Sequence, residues 1–127
     1  MWPFSRKPLP RIESVQLANI STEQADYPVL TVGQSRLESS FAALQFGDDS
    51  DVRFAMATIA PVVDPSMGLI ADLEIRVQDH VVGYLRPPAL TTAIVLLETH
   101  RADSLTVPVM LLTTPAGPEV RVHTALG

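Results

Sequence analysis

Three histidines, at positions 80, 100 and 123, and the absence of any cysteine bound the chemistry open to this chain. The histidines do not fall into a metal motif of the His-Glu-x-x-His kind. Without cysteine there is no thiolate nucleophile and no disulfide framework. Asp79-His80 is an adjacent acid and base that could move protons, yet aspartate is also a common turn residue. Gly33-Gln34-Ser35 is followed by Arg36-Leu37, so it forms no Gly-x-Ser-x-Gly nucleophile elbow. No P-loop and no Gly-x-Gly-x-x-Gly fingerprint occurs. Asp48-Asp49-Ser50-Asp51 gathers three acids but lacks the glycine and distal glutamate of a calcium loop, and reads as a solvated loop. These residues predict no enzyme, no metal and no cofactor.

What remains is an organisation of strands. Leu69, Ala71, Leu73, Ile75 and Val77 alternate with Ile70, Asp72, Glu74 and Arg76, the period of a half-buried strand. Gln78-Asp79-His80 is a tight link, and Val81 to Leu85 is the returning strand. Shorter strands are expected over 12–20, 29–32 and 52–60, the last ended by Pro61. Another is expected over 105–113, which is apolar on both faces. Pro108 places that strand at an edge or a bulge. A final strand carries Val120 and Val122 after the Pro115–Pro118 turn. Ser21 to Gln24 resembles a capping box, with room for about one turn before Pro28. Ser35-Arg36-Leu37-Glu38 is a fuller capping box, and Leu37, Phe41 and Leu44 follow on one helical face up to Gly47. A second helix is expected after Pro87-Pro88, with Leu90, Ile94 and Leu97 as its buried stripe. The fold class is mainly β with two helices (α+β). Short links favour antiparallel pairing, closed as a small, partly open barrel.

A chain of 127 residues is one domain by length, expected over 12–127. Residues 1–11 hold three prolines with Arg6, Lys7 and Arg11, and read as a flexible basic arm in which Trp2 and Phe4 are apolar. That arm carries +3; the remaining residues carry 6 basic and 14 acidic side chains, a balance of −8, which sums to the net −5. An acidic body repels phosphate backbones at long range, so nucleic acid would need a local basic patch. No apolar run reaches the roughly 20 residues of a membrane span, and the start has no secretory apolar core. A cytoplasmic location is expected.

Three segments resemble the HIRAN domain family, in that family's order. Val32-Gly33-Gln34-Ser35 and the helix after it resemble its first motif. Phe54 to Pro61, with Asp64, resembles its second strand and acidic Pro-containing turn. Val77-Gln78-Asp79-His80-Val81-Val82-Gly83-Tyr84-Leu85, with a helix to follow, resembles its Gly-Tyr-Leu hairpin. The resemblance spans roughly residues 29–124. It implies a barrel similar to the oligonucleotide-binding fold and binding of single-stranded DNA at a free 3′ end. By resemblance, the cleft lies near Gln34, Ser35, Arg36 and Asp64. Arg36, Arg53 and Arg86 are the candidates for phosphates or else ordinary solvated charges, and Tyr84 could stack on a base but in such a strand is more often partly buried. The chain departs from the family where an aromatic residue usually follows the first motif, since Arg36-Leu37 stands there. The Asn-Pro-Tyr-Asp loop is reduced to Asp64-Pro65-Ser66-Met67. Each lost stacking platform removes about 1–3 kcal/mol per base.

Two readings follow. One is a non-enzymatic HIRAN-like module that binds single-stranded DNA or its 3′ ends. The other is a protein-interaction or self-assembly module that keeps the barrel and has lost the DNA site. It would associate through an apolar patch or edge strand around 105–112.

Overall fold

The computed structural model describes residues 12–31, 52–64, 66, 69–114 and 117–126. The basic arm, the helix expected from Ser35 to Gly47 and the acidic loop after it lie outside the described residues.

Seven strands are described: β1 (Ile12–Gln16), β2 (Val29–Leu30), β3 (Val52–Asp64), β4 (Leu69–Val77), β5 (His80–Tyr84), β6 (Ala102–Thr114) and β7 (Gly117–Val122). One α-helix, α1 (Ala89–His100), and two 3-10 turns, η1 (Gln24–Asp26) and η2 (Thr124–Leu126), complete the described elements. The strands form one mixed sheet in the order β2-β7-β6-β3-β4-β5. The expected α+β composition, mainly β, is what the chain adopts. Among the described residues the sheet is not closed into a barrel by strand pairing: β2 and β5 stand at its two ends. Nor is it wholly antiparallel, because β1 pairs with β6 in parallel. Short links dictate antiparallel neighbours only between consecutive strands. β1 and β6 are separated by most of the chain, so that argument never constrained them.

The β4–β5 hairpin is tighter than expected. Gln78 and Asp79 alone make the turn, at φ of 50° and 68°, and His80 already pairs with Val77. Two successive left-handed residues match the twist of a two-residue hairpin. Leu73, Ile75 and Val77 are buried as the alternation requires. Glu74 departs from its polar set: it is only 9% exposed, and its carboxylate accepts from Arg76 Nε at 2.6 Å.

Neither proline acts on its strand as expected. Pro61 does not end β3, which runs on to Asp64. The Leu73 carbonyl accepts from Leu85, so Leu73 turns its backbone groups toward β5 and is not hydrogen-bonded to Pro61 opposite. The missing N–H of Pro61 therefore faces the other side, where pairing with β6 has stopped at Ile59. Pro108 sits in the middle of β6, neither at an edge nor at a bulge. The His123 amide donates to its carbonyl at 3.1 Å, so its backbone faces the β7 side. On that side β1 pairs with residues up to Thr106, and β7 pairs from Val109 onward. The proline occupies the gap between the two partners and breaks no ladder.

β6 is thus interior. Leu105, Val107, Val109 and Leu111 are fully buried on one face, and Met110 is buried on the other. The apolar patch expected around 105–112 is core rather than an association surface; the segment is apolar on both faces because both are covered. α1 packs over the sheet through Ala89, Ala93 and Leu97. Leu97 is common to this stripe and the expected one, while Ala89 and Ala93 lie one position before the expected Leu90 and Ile94. Leu90 and Ile94 are half-buried at its flank, while the alanines let the helix backbone approach the strands.

Leu105→Ala should therefore destabilise the fold by about 2–5 kcal/mol. Val95→Ala, on the outer face of α1 at 54% exposure, should change it by less than about 0.5 kcal/mol. Urea unfolding of the two variants measures this contrast.

Candidate functional site

The two ends of the sheet contribute to one cleft. Pro28 and Val29, at the β2 end, line it together with Arg86, Pro87, Pro88 and Ala89, which follow β5 and start α1; Thr124 from η2 completes it. Its volume is about 460 Å³. The walls are mainly apolar, three of them prolines. Arg86 and Thr124 are exposed, and they supply the charged and hydroxyl groups of the lining. The chain enters the helix here without a side-chain cap; the Leu90 amide donates to the Arg86 carbonyl at 2.9 Å, and the helix dipole adds positive potential at this end.

Tyr27 fixes the β2 side. Its ring is 1% exposed and lies 5.3 Å from Phe54 and 5.5 Å, edge-on, from His123. Its hydroxyl donates to the Ser21 carbonyl at 2.5 Å and accepts from the Ser21 amide at 3.1 Å. Ser21 Oγ donates to Asp26 Oδ2 at 2.5 Å and accepts from the Glu23 amide at 3.2 Å. The expected capping box is thus replaced by a local serine turn, since η1 begins after Glu23 without a side-chain cap. Burial pushes the Tyr27 phenol above its ordinary value; the Ser21 amide opposes this, and the Asp26 charge adds to it.

The structure gathers only part of the residues expected from the sequence. Gln34, Ser35 and Arg36 lie outside the described residues. Arg86 is on the cleft. Tyr84 is half-buried in β5, two residues before it and directly opposite Glu74. A carboxylate beside the ring is a poor neighbour for a phosphate, although Arg76 pairs with it. Asp64 closes β3 opposite Leu69. Arg53 pairs with Leu111, at the far end of β3. Ala60 shares a row with Glu74 and Tyr84; seven residues separate it from Arg53, about 23 Å along a strand. Arg53 is half-buried and already engaged within the fold. Arg53 and Tyr84 therefore do not converge. Asp79 and His80 serve the hairpin, with Asp79 in the left-handed turn and His80 in the ladder.

The remaining lining was not singled out from the sequence. Pro28, Val29, Pro87, Pro88 and Thr124 are remote in the chain and carry no reactive groups; the two Pro segments read only as breaks in secondary structure. Among the described residues, no cluster of three His, Asp or Glu side chains could hold a metal ion, and no helix is long and apolar enough to cross a membrane. Comparison with protein-family models, with curated proteins and with solved structures finds no match to this chain.

Tyr27 gives a test of the cleft's support. Its phenol is held neutral by burial, so its contribution is fully present below the ordinary tyrosine pKa of about 10 and is lost as pH rises through the raised value. Tyr27→Phe should cost about 1–3 kcal/mol near neutral pH, by leaving the Ser21 groups unpaired. It should also flatten the loss of stability above about pH 10, as read from denaturation midpoints across that range.

Proposed function

We propose that the chain is a non-enzymatic HIRAN-like module that binds an end of single-stranded DNA, with the cleft beside Arg86 as part of the contact surface. The observation that carries this reading is Arg86 itself. It is exposed at the start of α1, on a cleft formed where the two ends of the sheet approach. A guanidinium at the positive end of a helix dipole suits a phosphate. The hairpin from Leu69 to Tyr84 followed by a helix has the build that the resemblance implies. A cleft lined from both sheet ends is also what a partly open barrel would have at its opening.

Arg86 matters because it is the cation on the described lining of this cleft. Arg76 is paired with Glu74 and Arg121 with Glu119. The acidic body then confines phosphate binding to a small area and makes it sensitive to salt. The prolines offer flat apolar surfaces to a base in place of the family's missing aromatics.

The alternative is a protein-interaction or self-assembly module that has lost the DNA site. It loses β6 as its surface, and the outer edges of β1, β2 and β5, which pair with no further strand among the described residues, remain for it. The acidic body repels DNA and so suits a protein partner, although like charge opposes a second copy of the chain.

Fluorescence anisotropy with single-stranded DNA bearing a free or a blocked 3′ end, at two salt concentrations, separates these readings. Tighter binding to the free end, weakened by salt, is expected. Arg86→Ala should weaken binding to all sequences alike and reduce the salt slope by about 1. No binding even at low salt would overturn the DNA reading and return the question to the sheet edges.

A further inference from the structure

His123 holds together three parts of the molecule. Its amide donates to the Pro108 carbonyl. Its ring meets Tyr27 edge-on. Its Nδ1 accepts the Ala125 amide at 3.0 Å, while its carbonyl accepts the Leu126 amide at 3.0 Å. The side chain therefore caps η2 as an Asn or Asp would cap a helix, by accepting from the second amide of the turn. Unlike those side chains, an imidazole accepts at Nδ1 only while that nitrogen carries no proton.

We propose that His123 is a proton-sensitive cap that couples acidity to the cleft through η2. Protonation places a hydrogen on Nδ1, and the Ala125 amide then faces a donor. The turn loses its cap at the residue that lines the cleft, Thr124, and next to Leu126, which is fully buried in the main core. Neutral His123 holds Thr124 in the cleft wall; charged His123 releases it.

The ionisable neighbours among the described residues are few. From the segment before β2, Tyr27 faces the ring, and the Asp26 charge acts on the Tyr27 phenol. From β7, Arg121 and Glu119 lie on the same side of the strand and neutralise one another. The adjoining rows of β6 and β3 present Pro108, Met110 and Phe54, which carry no charge. η2 has no ionisable side chain.

The proposal concerns the cleft of the DNA reading, but its test contains no nucleic acid, so the two stand or fall separately. Amide exchange of the full chain, followed by NMR at pH 7.5 and pH 5.0, reads it directly. The Ala125 protection factor should fall about fivefold on acidification, the loss a typical cap supplies. The Thr124 resonance should move with the same midpoint as the His123 ring protons. His123→Asn supplies a cap that does not titrate, so Ala125 should be equally protected at both pH values. Unchanged Ala125 protection in the wild type, or an equal loss in His123→Asn, would overturn the proposal. If that variant does not fold, different midpoints for the His123 ring and the Ala125 amide in the wild type would do the same.

Discussion

One strand has to satisfy three partners. β6 pairs with β3 along one side, and on the other side first with β1 in parallel and then with β7 antiparallel. A strand cannot pass from one partner to the next without leaving backbone groups unpaired between them. Pro108 occupies that junction. It has no N–H to leave unpaired, and its carbonyl is met by His123 just beyond β7. A residue that usually breaks sheets here lets one long strand serve two neighbours on a single side.

The rest of the architecture hangs on that strand. Leu105, Val107, Val109 and Leu111 present a fully buried apolar row to α1. The opposite face carries the buried Met110 beside Phe54, on which Tyr27 packs. With both faces covered, the strand reads as a continuous apolar run, as buried strands do. The alternating pattern of β4 fits its different position, where the outer face keeps an internally paired Glu74 and Arg76.

The legible parts of the sequence were those set by local patterns. The β4–β5 hairpin follows from period-two alternation and a polar link, and α1 follows from Pro88 and an apolar stripe. The misread parts were those where geometry overrides type. Alanine ranks below leucine and isoleucine in hydrophobicity, yet Ala89 and Ala93 take the inner face, because a small side chain allows close approach. Pro61 and Pro108 read as strand breakers until the direction of each missing N–H is known, and only the register gives that direction. Tyr27 carried no signal beyond its proximity to Pro28, although its hydroxyl orders the segment from Ser21. The cleft was hidden for the same reason: it joins positions 28–29, 86–89 and 124, far apart in the chain and mostly apolar. Arg86, a phosphate candidate from the sequence, lies on this cleft, and Thr124, which completes the lining, carries no sequence signal.

The seam at Pro108 and the cleft are linked physically. The residue that completes the seam, His123, is also the one whose ring caps η2, and η2 supplies both a cleft wall and a core plug. Closing the sheet's central junction therefore positions Thr124 without any separate device. The opposite wall depends on the same neighbourhood, since Tyr27 packs on Phe54 of β3 and on His123 before the chain enters Pro28 and Val29. A change at Pro108, His123 or Tyr27 would be felt in the cleft although Pro108, His123 and Tyr27 do not line it. By contrast Arg86, which lies after the edge strand β5, can change without disturbing the junction. Shape is set by the core side of the cleft and charge by its edge side, so substitutions can separate the two.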